Sequence, residues 1–338
     1  MASCSISVIL PVCNGASFLK QAIDSILAQT FEDFELIIVN DGSTDASEEI
    51  VFSIEDNRIV YIKNEFNIGI VGSLNKAIEV AKGKYIARMD ADDVSYPIRF
   101  QIQLDYLEAN LEVGICSSVL KVLGKNEIIK YPEIHEDISF EFLVRNAIAH
   151  PVVMFRKALY DFYKFKYSED FFPAEDYKLW TQFAGVCKLY NFQFPLLEYN
   201  IHPSSISQSK KEIQIDKVNE IRVIYLFQSL QIDCENKTNL LKGLFSLAIQ
   251  PTHDEVQQIK ELFVLFIQKN NEYKKFNKKE FETYLSFYWY IACKQSKSTS
   301  VYKRSLYMSL GPYELTNFYF LSKLLLHSIL NKNEENSI

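Results

Sequence analysis

The sequence lacks the cysteine patterns that build disulfide frameworks or zinc sites. Its six cysteines are Cys4, Cys13, Cys116, Cys187, Cys234 and Cys293. They are widely scattered and form no Cys-x-x-Cys pair, which predicts reduced thiols in a cytoplasmic protein. The N-terminus has no basic stretch followed by an apolar segment, so we expect no secretory signal.

Glycine and proline are scarce, with 10 and 9 residues among 338, which excludes collagen-like and linker-type chains. The aromatic share of 14% and the absence of long charge blocks exclude intrinsic disorder. No segment reaches the ~20 apolar residues of a membrane span. The longest apolar candidate, residues 318–330, is too short and contains Lys323 and His327. A net charge of −7 is the wrong sign for a nucleic-acid binder, so we expect no nucleic-acid partner.

Several common site fingerprints are also missing. No Gly-x-Gly-x-x-Gly follows the first apolar run, so a dinucleotide-binding Rossmann site lacks its glycines. There is no phosphate-binding P-loop, no Gly-x-Ser-x-Gly elbow and no His-Glu-x-x-His zinc motif. The first apolar run ends instead in PVCN, residues 11–14, where Pro11 removes a backbone donor and fixes the turn.

Short apolar runs alternate with amphipathic segments in the first half of the chain. We predict strands at residues 6–10, 35–39, 59–62 and 85–89, and helices at 17–28, 45–54, 70–81 and 97–109. Gly83 has the position of a C-cap for the third helix. This alternation is typical of an α/β fold with a mostly parallel sheet and helices on both faces. Ligands then bind at the carboxyl ends of the strands.

The second half divides into a mixed segment and a helical one. We predict strands at residues 116–122, 152–155 and 196–201 and a helix at 175–184. From about residue 212 the apolar spacing is helical only and predicts five or so helices, so we divide the chain into domains 1–210 and 211–338. The aromatic segments around 281–290 and 318–330 either pack on each other or form an acceptor-binding lobe, an oligomerisation surface or a membrane-surface contact.

Carboxylates follow the fourth predicted strand in the run RMDADD, residues 88–93. Asp90 and Asp92 come directly after a buried strand, at the ligand-binding edge of the predicted sheet. Mg²⁺ and Mn²⁺ prefer oxygen ligands and are commonly held by one or two carboxylates. The run is therefore either a divalent-cation site or a solvated acidic turn before the next helix.

Four further motifs each have a structural and a functional interpretation. In NDGSTD, residues 40–45, Asp41 either belongs to a turn before a helix or accepts the imide N–H of a nucleobase. In EDYKLW, residues 175–180, Asp176 either complements the helix dipole or takes a proton from an attacking hydroxyl. His202 in YNIHPSSIS is either structural or a ligand, and His150 in AHP has a weaker claim of the same kind.

Taken together, the segments around PVCNG, NDGSTD, DADD, EDYKLW and YNIHPSSIS resemble an inverting bacterial-type family 2 glycosyltransferase with the GT-A fold, over about residues 4–208. The resemblance implies metal-dependent transfer of a sugar from a nucleotide-diphosphate sugar, with a UDP-sugar favoured, to an acceptor hydroxyl. It implies Mn²⁺ or Mg²⁺ as cofactor and a saccharide or lipid-linked saccharide acceptor in surface polysaccharide or lipopolysaccharide biosynthesis. It also implies a cytoplasmic location, in solution or peripheral at the inner face of the membrane.

The resemblance also assigns roles to individual residues. The nucleotide sugar would contact Pro11, Val12, Asn14, Asp41, Asn67, Asn75, Arg88, Asp90, Ala91 and Glu175. Asp176 would be the catalytic base, and the metal would be held by Asp92 and Asp90, with His202 as a third ligand or a diphosphate contact.

One position departs from the family pattern. Asn200 stands where relatives often have arginine, so neutralisation of the leaving diphosphate would fall to the metal, to Arg88 or to a C-terminal lysine. The alternative function is a non-catalytic GT-A protein that binds a nucleotide sugar or a carbohydrate. An enzyme that makes sugar nucleotides would need a glycine-rich, arginine-containing first loop, which PVCNGAS is not.

Overall fold

The structure is a computed structural model that describes residues 4–201, 210–233 and 237–296. The chain divides into two compact units, Met1–Ile221 and Arg222–Ile338, and we describe each unit by itself. This division lies somewhat after the boundary predicted at residue 210. His202 and residues 318–330, for which the sequence made predictions, lie outside the described residues.

The first unit contains two β-sheets. The strands are β1 (Ile6–Val12), β2 (Phe34–Asn40), β3 (Ile59–Lys63), β4 (Tyr85–Arg88), β5 (Val94–Ser95), β6 (Val113–Ser118), β7 (Leu120–Val122), β8 (Ile128–Ile129), β9 (Met154–Arg156), β10 (Lys188–Phe192) and β11 (Leu197–Tyr199). The large sheet has the order β10-β6-β9-β4-β1-β2-β3 and is parallel except for β9, while β5, β11, β7 and β8 form a small second sheet. The predicted α/β class is confirmed, but the single strand predicted at 116–122 is two strands, one in each sheet.

The helices of the first unit follow the strands in the predicted alternation. They are α1 (Leu19–Leu27), α2 (Ser47–Phe52), α3 (Gly69–Val80), α4 (Arg99–Ala109), α5 (His135–Glu141), α6 (Lys157–Phe162) and α7 (Glu175–Phe183), with short 3₁₀ turns at His150–Val152 and Glu169–Phe171. Every residue of β1 and β2 is buried, so both faces of the large sheet are covered. α1 contributes Leu19, Ala22, Ile23 and Ile26 to that core, at the spacing of one helix face.

The prediction that Gly83 caps α3 is wrong. The helix ends at Val80, and Ala81 is the C-cap in an extended conformation. Gly83 is instead where the chain passes close to β1, because a Cβ at this position would overlap the backbone of Ser7. Its own N–H donates to the Ser7 hydroxyl at 2.8 Å. The glycine therefore allows the segment before β4 to pass close to β1. The position of Gly83 after a predicted helix does not indicate this contact.

The second unit is helical over its described residues. Helix α8 (Lys211–Ser229) contains the division between the units and is followed by α9 (Thr238–Phe245), α10 (His253–Tyr273) and α11 (Lys278–Gln295). The aromatic side chains of α11 are mostly buried within this unit, and its Tyr288 hydroxyl accepts a hydrogen bond from the buried Arg222 at 2.6 Å. This burial favours the interpretation that residues 281–290 pack internally. Among the described residues, no helix is long and apolar enough to cross a membrane.

Candidate active site

The loops that follow β1, β2 and β4 begin at one edge of the large sheet. β1 is hydrogen-bonded in parallel to both β2 and β4, with Val12 opposite Asn40 and Ile9 opposite Arg88. The Asp41 N–H continues the β1–β2 ladder by donating to the Val12 carbonyl at 2.8 Å. Pro11 and Val12 are buried at this edge. The three loops therefore start side by side, as expected for the carboxyl ends of parallel strands.

Asn14 joins the loop after β1 to the loop after β2. Its side-chain oxygen accepts the Thr44 N–H at 2.8 Å, and its own N–H donates to the Ser43 hydroxyl at 2.9 Å. Asn14 has a φ of 54°, a left-handed conformation that asparagine tolerates better than most residues. On the other side of the same loop, a Cβ built at Gly15 would lie 3.7 Å from the Cβ of Ala91. The loop after β1 is thus hydrogen-bonded to the loop after β2 and passes close to Ala91 in the loop after β4.

Asp41 is 4% exposed and closes the loop that leads into α3. Its Oδ1 accepts the Asn64 amide and the Ile68 N–H, both at 2.8 Å, and its Oδ2 accepts the Gly69 N–H at 2.9 Å. A carboxylate offers about four lone-pair sites, two on each oxygen. Among the described residues, Oδ2 therefore keeps capacity for one more donor.

Asn67 lies in the same loop and contacts the loop after β1. Its amide N–H donates to the Cys13 sulfur at 3.1 Å, and its side-chain oxygen accepts the Gly69 N–H at 3.0 Å. Gly42 makes this approach possible, since it has a φ of 68° and a Cβ there would lie 2.8 Å from the Asn67 backbone nitrogen. Both predicted residues of this loop region, Asp41 and Asn67, are thus brought to the edge beside Cys13.

Asn75 has a different environment from the other predicted donor-site residues. Its amide donates to the Tyr167 carbonyl at 2.9 Å, and its side-chain oxygen accepts the Tyr167 N–H and the Tyr160 hydroxyl, both at 3.1 Å. The asparagine therefore fastens α3 to the segment before α7. Contact between Asn75 and a nucleotide sugar stays a prediction.

The acidic run after β4 brings three carboxylates together. Single oxygens of Asp90, Asp92 and Asp93 all lie within 4.8 Å of one another. Two guanidinium N–H groups of the buried Arg88 donate to the two carboxylate oxygens of Asp90. Asp93 is fully buried, and its Oδ1 accepts the Asn200 N–H at 2.8 Å. The run is therefore an ordered cluster rather than a solvated turn.

The donor set of this cluster fits a hard divalent cation. Its ligand atoms are all carboxylate oxygens, which Mg²⁺ and Mn²⁺ prefer. The buried Oδ2 of Asp93 has no hydrogen-bond partner among the described residues. Burial, with the neighbouring charge of Asp90, raises the pKa of Asp93 well above its ordinary value. Burial also raises the pKa of Asp90, although Arg88 opposes it. Closely spaced, partly desolvated carboxylates of this kind are relieved by a cation.

Asp176 and Glu175 form the first turn of α7. The Asp176 carboxylate accepts the Asn146 amide at 2.8 Å on Oδ2 and the Tyr177 N–H at 2.7 Å on Oδ1. Burial raises the pKa of Asp176 to about 6, against the backbone N–H of Tyr177, the charge of Arg88 and the Asn146 amide, which lower it. Asp176 is therefore mostly ionised at neutral pH. Its pKa is close to that of an effective general base.

Glu175 differs from its neighbour in protonation. Burial, followed by the charge of Asp176, raises the pKa of Glu175 to about 8. Its Oε2 is buried and has no hydrogen-bond partner among the residues that the structure describes. Two adjacent carboxyl groups with separated pKa values are typical of an acid–base site.

Arg88 links the acidic cluster to α7. Its charge lowers the pKa of Asp176 and of Glu175 while its guanidinium is paired with Asp90. Its Nε–H is buried without a partner in the part of the chain that the structure describes. From the other side, Glu169 raises the pKa of Glu175, and its carboxylate would lie 3.9 Å from a Cβ built at Gly69. The charges of Arg88 and Glu169 therefore both act on Glu175, and the charge of Arg88 also acts on Asp176.

Comparison with known proteins decides the family. The family model described as Glycosyl transferase family 2 matches residues 7–171. An uncharacterized glycosyltransferase of Haemophilus influenzae is 32% identical over 258 residues, which cover 70% of this chain and 79% of that relative. The chain belongs to glycosyltransferase family 2. The predicted family and the predicted enzyme class are confirmed.

One further relative of this family 2 glycosyltransferase and one solved structure have informative names. WfaP of Escherichia coli, a UDP-Glc:alpha-D-GlcNAc-diphosphoundecaprenol beta-1,3-glucosyltransferase, is 28% identical over 235 residues, covering 68% of this chain and 90% of WfaP. The crystal structure of S. aureus TarS 1-349 in complex with UDP-GlcNAc aligns with a TM-score of 0.59 and 16% identity, covering 90% of this chain and 91% of that one. At that identity the likeness supports the GT-A fold alone.

Sequence reasoning missed three residues of the candidate site. Asp93 was visible in the DADD run but was not included with Asp90 and Asp92 as a ligand. No local sequence pattern marks Asn146 or Tyr167 as a site residue. Asn146 contacts Asp176, and Tyr167 contacts His150, only because the fold brings together residues that are separated in the chain. His150, whose claim to a functional role was weaker than that of His202, has its Nδ1 4.0 Å from the Asp176 carboxylate.

Proposed function

We propose that this glycosyltransferase moves a sugar from a UDP-sugar to a hydroxyl of a saccharide or lipid-linked saccharide, with inversion at the anomeric carbon. The name of WfaP, which combines a UDP-sugar donor with a diphosphoundecaprenol acceptor, supports this class of substrates. TarS, a structural neighbour, was solved with UDP-GlcNAc. An acceptor of this kind would belong to surface polysaccharide or lipopolysaccharide biosynthesis.

The nucleoside would lie between the loops after β1 and β2. The free capacity of Asp41 Oδ2 suits the imide N–H of uracil, since that group is a donor. Pro11, Val12 and Asn14 would line the adjoining edge, where the two loops are already joined by Asn14 and Thr44. Asn67 and Ala91 would contact the donor from neighbouring loops.

The diphosphate would lie over the acidic cluster and Arg88. Asp92, Asp90 and Asp93 would hold Mn²⁺ or Mg²⁺, with His202 a further ligand or a diphosphate contact. Bound there, the cation would stabilise the negative charge that develops on the departing diphosphate. Arg88 offers a second source of positive charge, and its unpartnered Nε–H is suited to a phosphate or sugar oxygen.

Asp176 would act as the catalytic base. An acceptor hydroxyl attacks the anomeric carbon effectively only while it loses its proton, and an ionised Asp176 can accept that proton. Attack opposite the diphosphate inverts the anomeric carbon in a single displacement. Glu175, protonated at neutral pH, can donate a hydrogen bond to a sugar oxygen from its buried carboxyl group.

The observation that carries this proposal is the convergence on Arg88 of an acidic, cation-suited cluster and an ionised carboxylate at a helix start. A screen of UDP-sugars with saccharide and lipid-diphosphate-saccharide acceptors, with UDP release as readout, tests it. We expect Asp176→Asn to reduce transfer by about 10²–10⁴-fold, the contribution of a general base, while UDP affinity changes little.

The matched control is Asp161→Asn, which removes an exposed carboxylate paired with Lys157 at 2.7 Å on α6. It should transfer at the unmodified rate. Unimpaired transfer by Asp176→Asn would remove the base assignment. UDP binding without turnover of any donor would instead favour the non-catalytic binding function.

A further inference from the structure

The carboxylate of Asp176, the proposed catalytic base, is held by two hydrogen-bond donors. Asn146 donates an amide N–H to Asp176 Oδ2 at 2.8 Å, and the Tyr177 N–H holds Oδ1 at 2.7 Å. Each oxygen therefore receives one donor and keeps one lone pair for the acceptor proton. Asn146 is distant from Asp176 in sequence, so this contact exists only because the fold brings the two together.

His150 faces the same carboxylate oxygen. Its Nδ1 lies 4.0 Å from Asp176 Oδ2, and its Nε2 lies 2.9 Å from the Tyr167 hydroxyl. The imidazole packs edge-on against Trp180, with ring centroids 5.8 Å apart. Burial, followed by the charge of Arg88, lowers the pKa of His150 well below its ordinary value. The ring is therefore neutral, with a proton on only one nitrogen.

The surroundings of the ring select which nitrogen carries that proton. Burial raises the pKa of Tyr167 well above its ordinary value, so its hydroxyl keeps its proton and can donate to Nε2. An Nε2 that accepts leaves the ring proton on Nδ1, the nitrogen that lies 4.0 Å from Asp176 Oδ2. The opposite tautomer would turn a lone pair toward the Asp176 carboxylate, which is electrostatically unfavourable.

Tyr167 is itself fixed to α3. Asn75 on α3 binds both its N–H, at 3.1 Å, and its carbonyl, at 2.9 Å. The hydroxyl of Tyr167 thus has a defined position relative to His150. A gap of 4.0 Å between His150 and Asp176 is longer than a hydrogen bond, and such catalytic contacts often shorten when substrates bind.

We propose that Asn146 and His150 are positioning residues for Asp176, and that Tyr167 directs the imidazole by fixing the tautomer of His150. The kinetic part of this inference rests on the proposed function, whereas the tautomer does not. Asn146 orients the carboxylate and favours its ionised form. His150 presents an N–H that steadies the same oxygen as the acceptor approaches.

Other charged and titratable groups also face Asp176. Arg88 lowers its pKa, whereas Glu175 stays protonated at neutral pH and adds little charge there. Asp176 in turn raises the pKa of Tyr131, which burial brings to about 12, so Tyr131 is neutral. None of these groups is changed by substitution of Asn146 or Tyr167, so a shift in the titration of Asp176 can be assigned to the substituted residue.

The first test reads the tautomer directly and needs no turnover. The full chain, labelled with ¹⁵N-histidine, contains five histidines, and His150→Gln identifies the His150 resonances in long-range ¹H–¹⁵N spectra. We expect a neutral ring protonated on Nδ1 in the unmodified protein and a change toward Nε2 protonation in Tyr167→Phe. A ring protonated on Nε2 in the unmodified protein, or a tautomer unchanged by Tyr167→Phe, would overturn the proposal.

The second test is the pH profile of kcat for UDP-sugar turnover. Asn146→Ala removes a hydrogen bond to the charged form of Asp176, so we expect the acidic limb of the profile to move to higher pH by about one unit. KM for the donor should stay unchanged. Tyr167→Phe should move the limb in the same direction by less. Tyr85→Phe, which removes a buried hydroxyl bonded to Arg156 at 2.9 Å, is the control and should leave the limb in place.

The two tests separate two kinds of failure. An acidic limb that does not move in Asn146→Ala would refute the positioning role even if the enzyme transfers sugar as proposed. If no UDP-sugar is turned over, the proposed function fails, and the tautomer of His150 still decides whether Tyr167 and His150 are coupled as inferred.

Discussion

Asp41→Asn separates two roles that the structure gives to one carboxylate. The unmodified side chain accepts three hydrogen bonds, from Asn64, from the Ile68 N–H and from the Gly69 N–H. An amide keeps one oxygen, which can retain the first two bonds in a weaker, uncharged form. Its NH₂ group then faces the Gly69 N–H, so that two donors meet in a buried position.

The expected magnitude follows from these bonds. The substitution replaces two hydrogen bonds to a charged acceptor with bonds to a neutral one, and it leaves the Gly69 N–H without its carboxylate partner. Together these changes should lower the free energy of unfolding by about 2–4 kcal/mol. The penalty at Gly69 is limited because its N–H is also 3.0 Å from the Asn67 side-chain oxygen. For a domain of this size the loss corresponds to a Tm lower by about 4–16 °C, measurable by calorimetry, and urea unfolding measures the free-energy loss itself.

Nucleotide binding provides the second readout for Asp41. The new NH₂ group is a donor and would oppose the imide N–H of uracil, whereas cytosine offers an acceptor at the same ring position. We expect titration calorimetry to show at least about a tenfold loss of UDP affinity and a smaller preference for UDP over CDP. Asp33→Asn, at an exposed carboxylate bonded to the Ser5 N–H at 2.9 Å, is the control and should change neither quantity. Unchanged stability and unchanged UDP affinity in Asp41→Asn would refute both roles.

Three further predictions concern the cation, the buried carboxyl group and a glycine. Chelation with EDTA should stop transfer, and Mn²⁺ or Mg²⁺ should restore it; full activity in chelator would contradict a metal held by the acidic cluster. Folding raises the pKa of Glu175 to about 8, so its contribution to the free energy of unfolding is present in acid and is lost as pH rises through that value. Glu175→Gln should flatten this decline, measured by urea unfolding between about pH 5 and pH 9. Gly42→Ala should weaken UDP binding by displacing Asn67, whereas Gly124→Ala, with a φ of 73° and open space around it, should lose only a little stability.

The alternation of strands and helices was readable because each element's apolar period reflects its own burial. β1 and β2 appear in the sequence as continuous apolar runs, and the structure buries every residue of both. Helix ends were less readable. The first helix was predicted from residue 17, but it begins at Leu19 without a side-chain cap. Cap geometry depends on neighbouring loops, which the local pattern does not contain.

The acidic cluster shows how far local information extends into the site. DADD follows a strand directly, so its position at the sheet edge could be predicted from the sequence alone. The pairing of Asp90 with Arg88 and the orphaned oxygen of Asp93 could not, since both depend on burial by residues from other elements. Asn75 was assigned to the donor site by resemblance, and the structure shows it bound to the Tyr167 backbone.

By itself, the amino-acid order determined the fold class and the strand ends on which Asp41, Asp90 and Asp92 sit, because parallel strands with local apolar patterns must share one carboxyl edge. The environment of Asp176 was decided only by tertiary structure. Asn146 binds that carboxylate and His150 lies 4.0 Å from it, both from another segment of the chain, and burial raises its pKa to about 6 although the Asn146 amide lowers it. Hydrogen bonds and desolvation between residues remote in sequence produce no periodic pattern in the sequence. The protonation state and the hydrogen-bond partners of Asp176 could therefore be determined only from the tertiary structure.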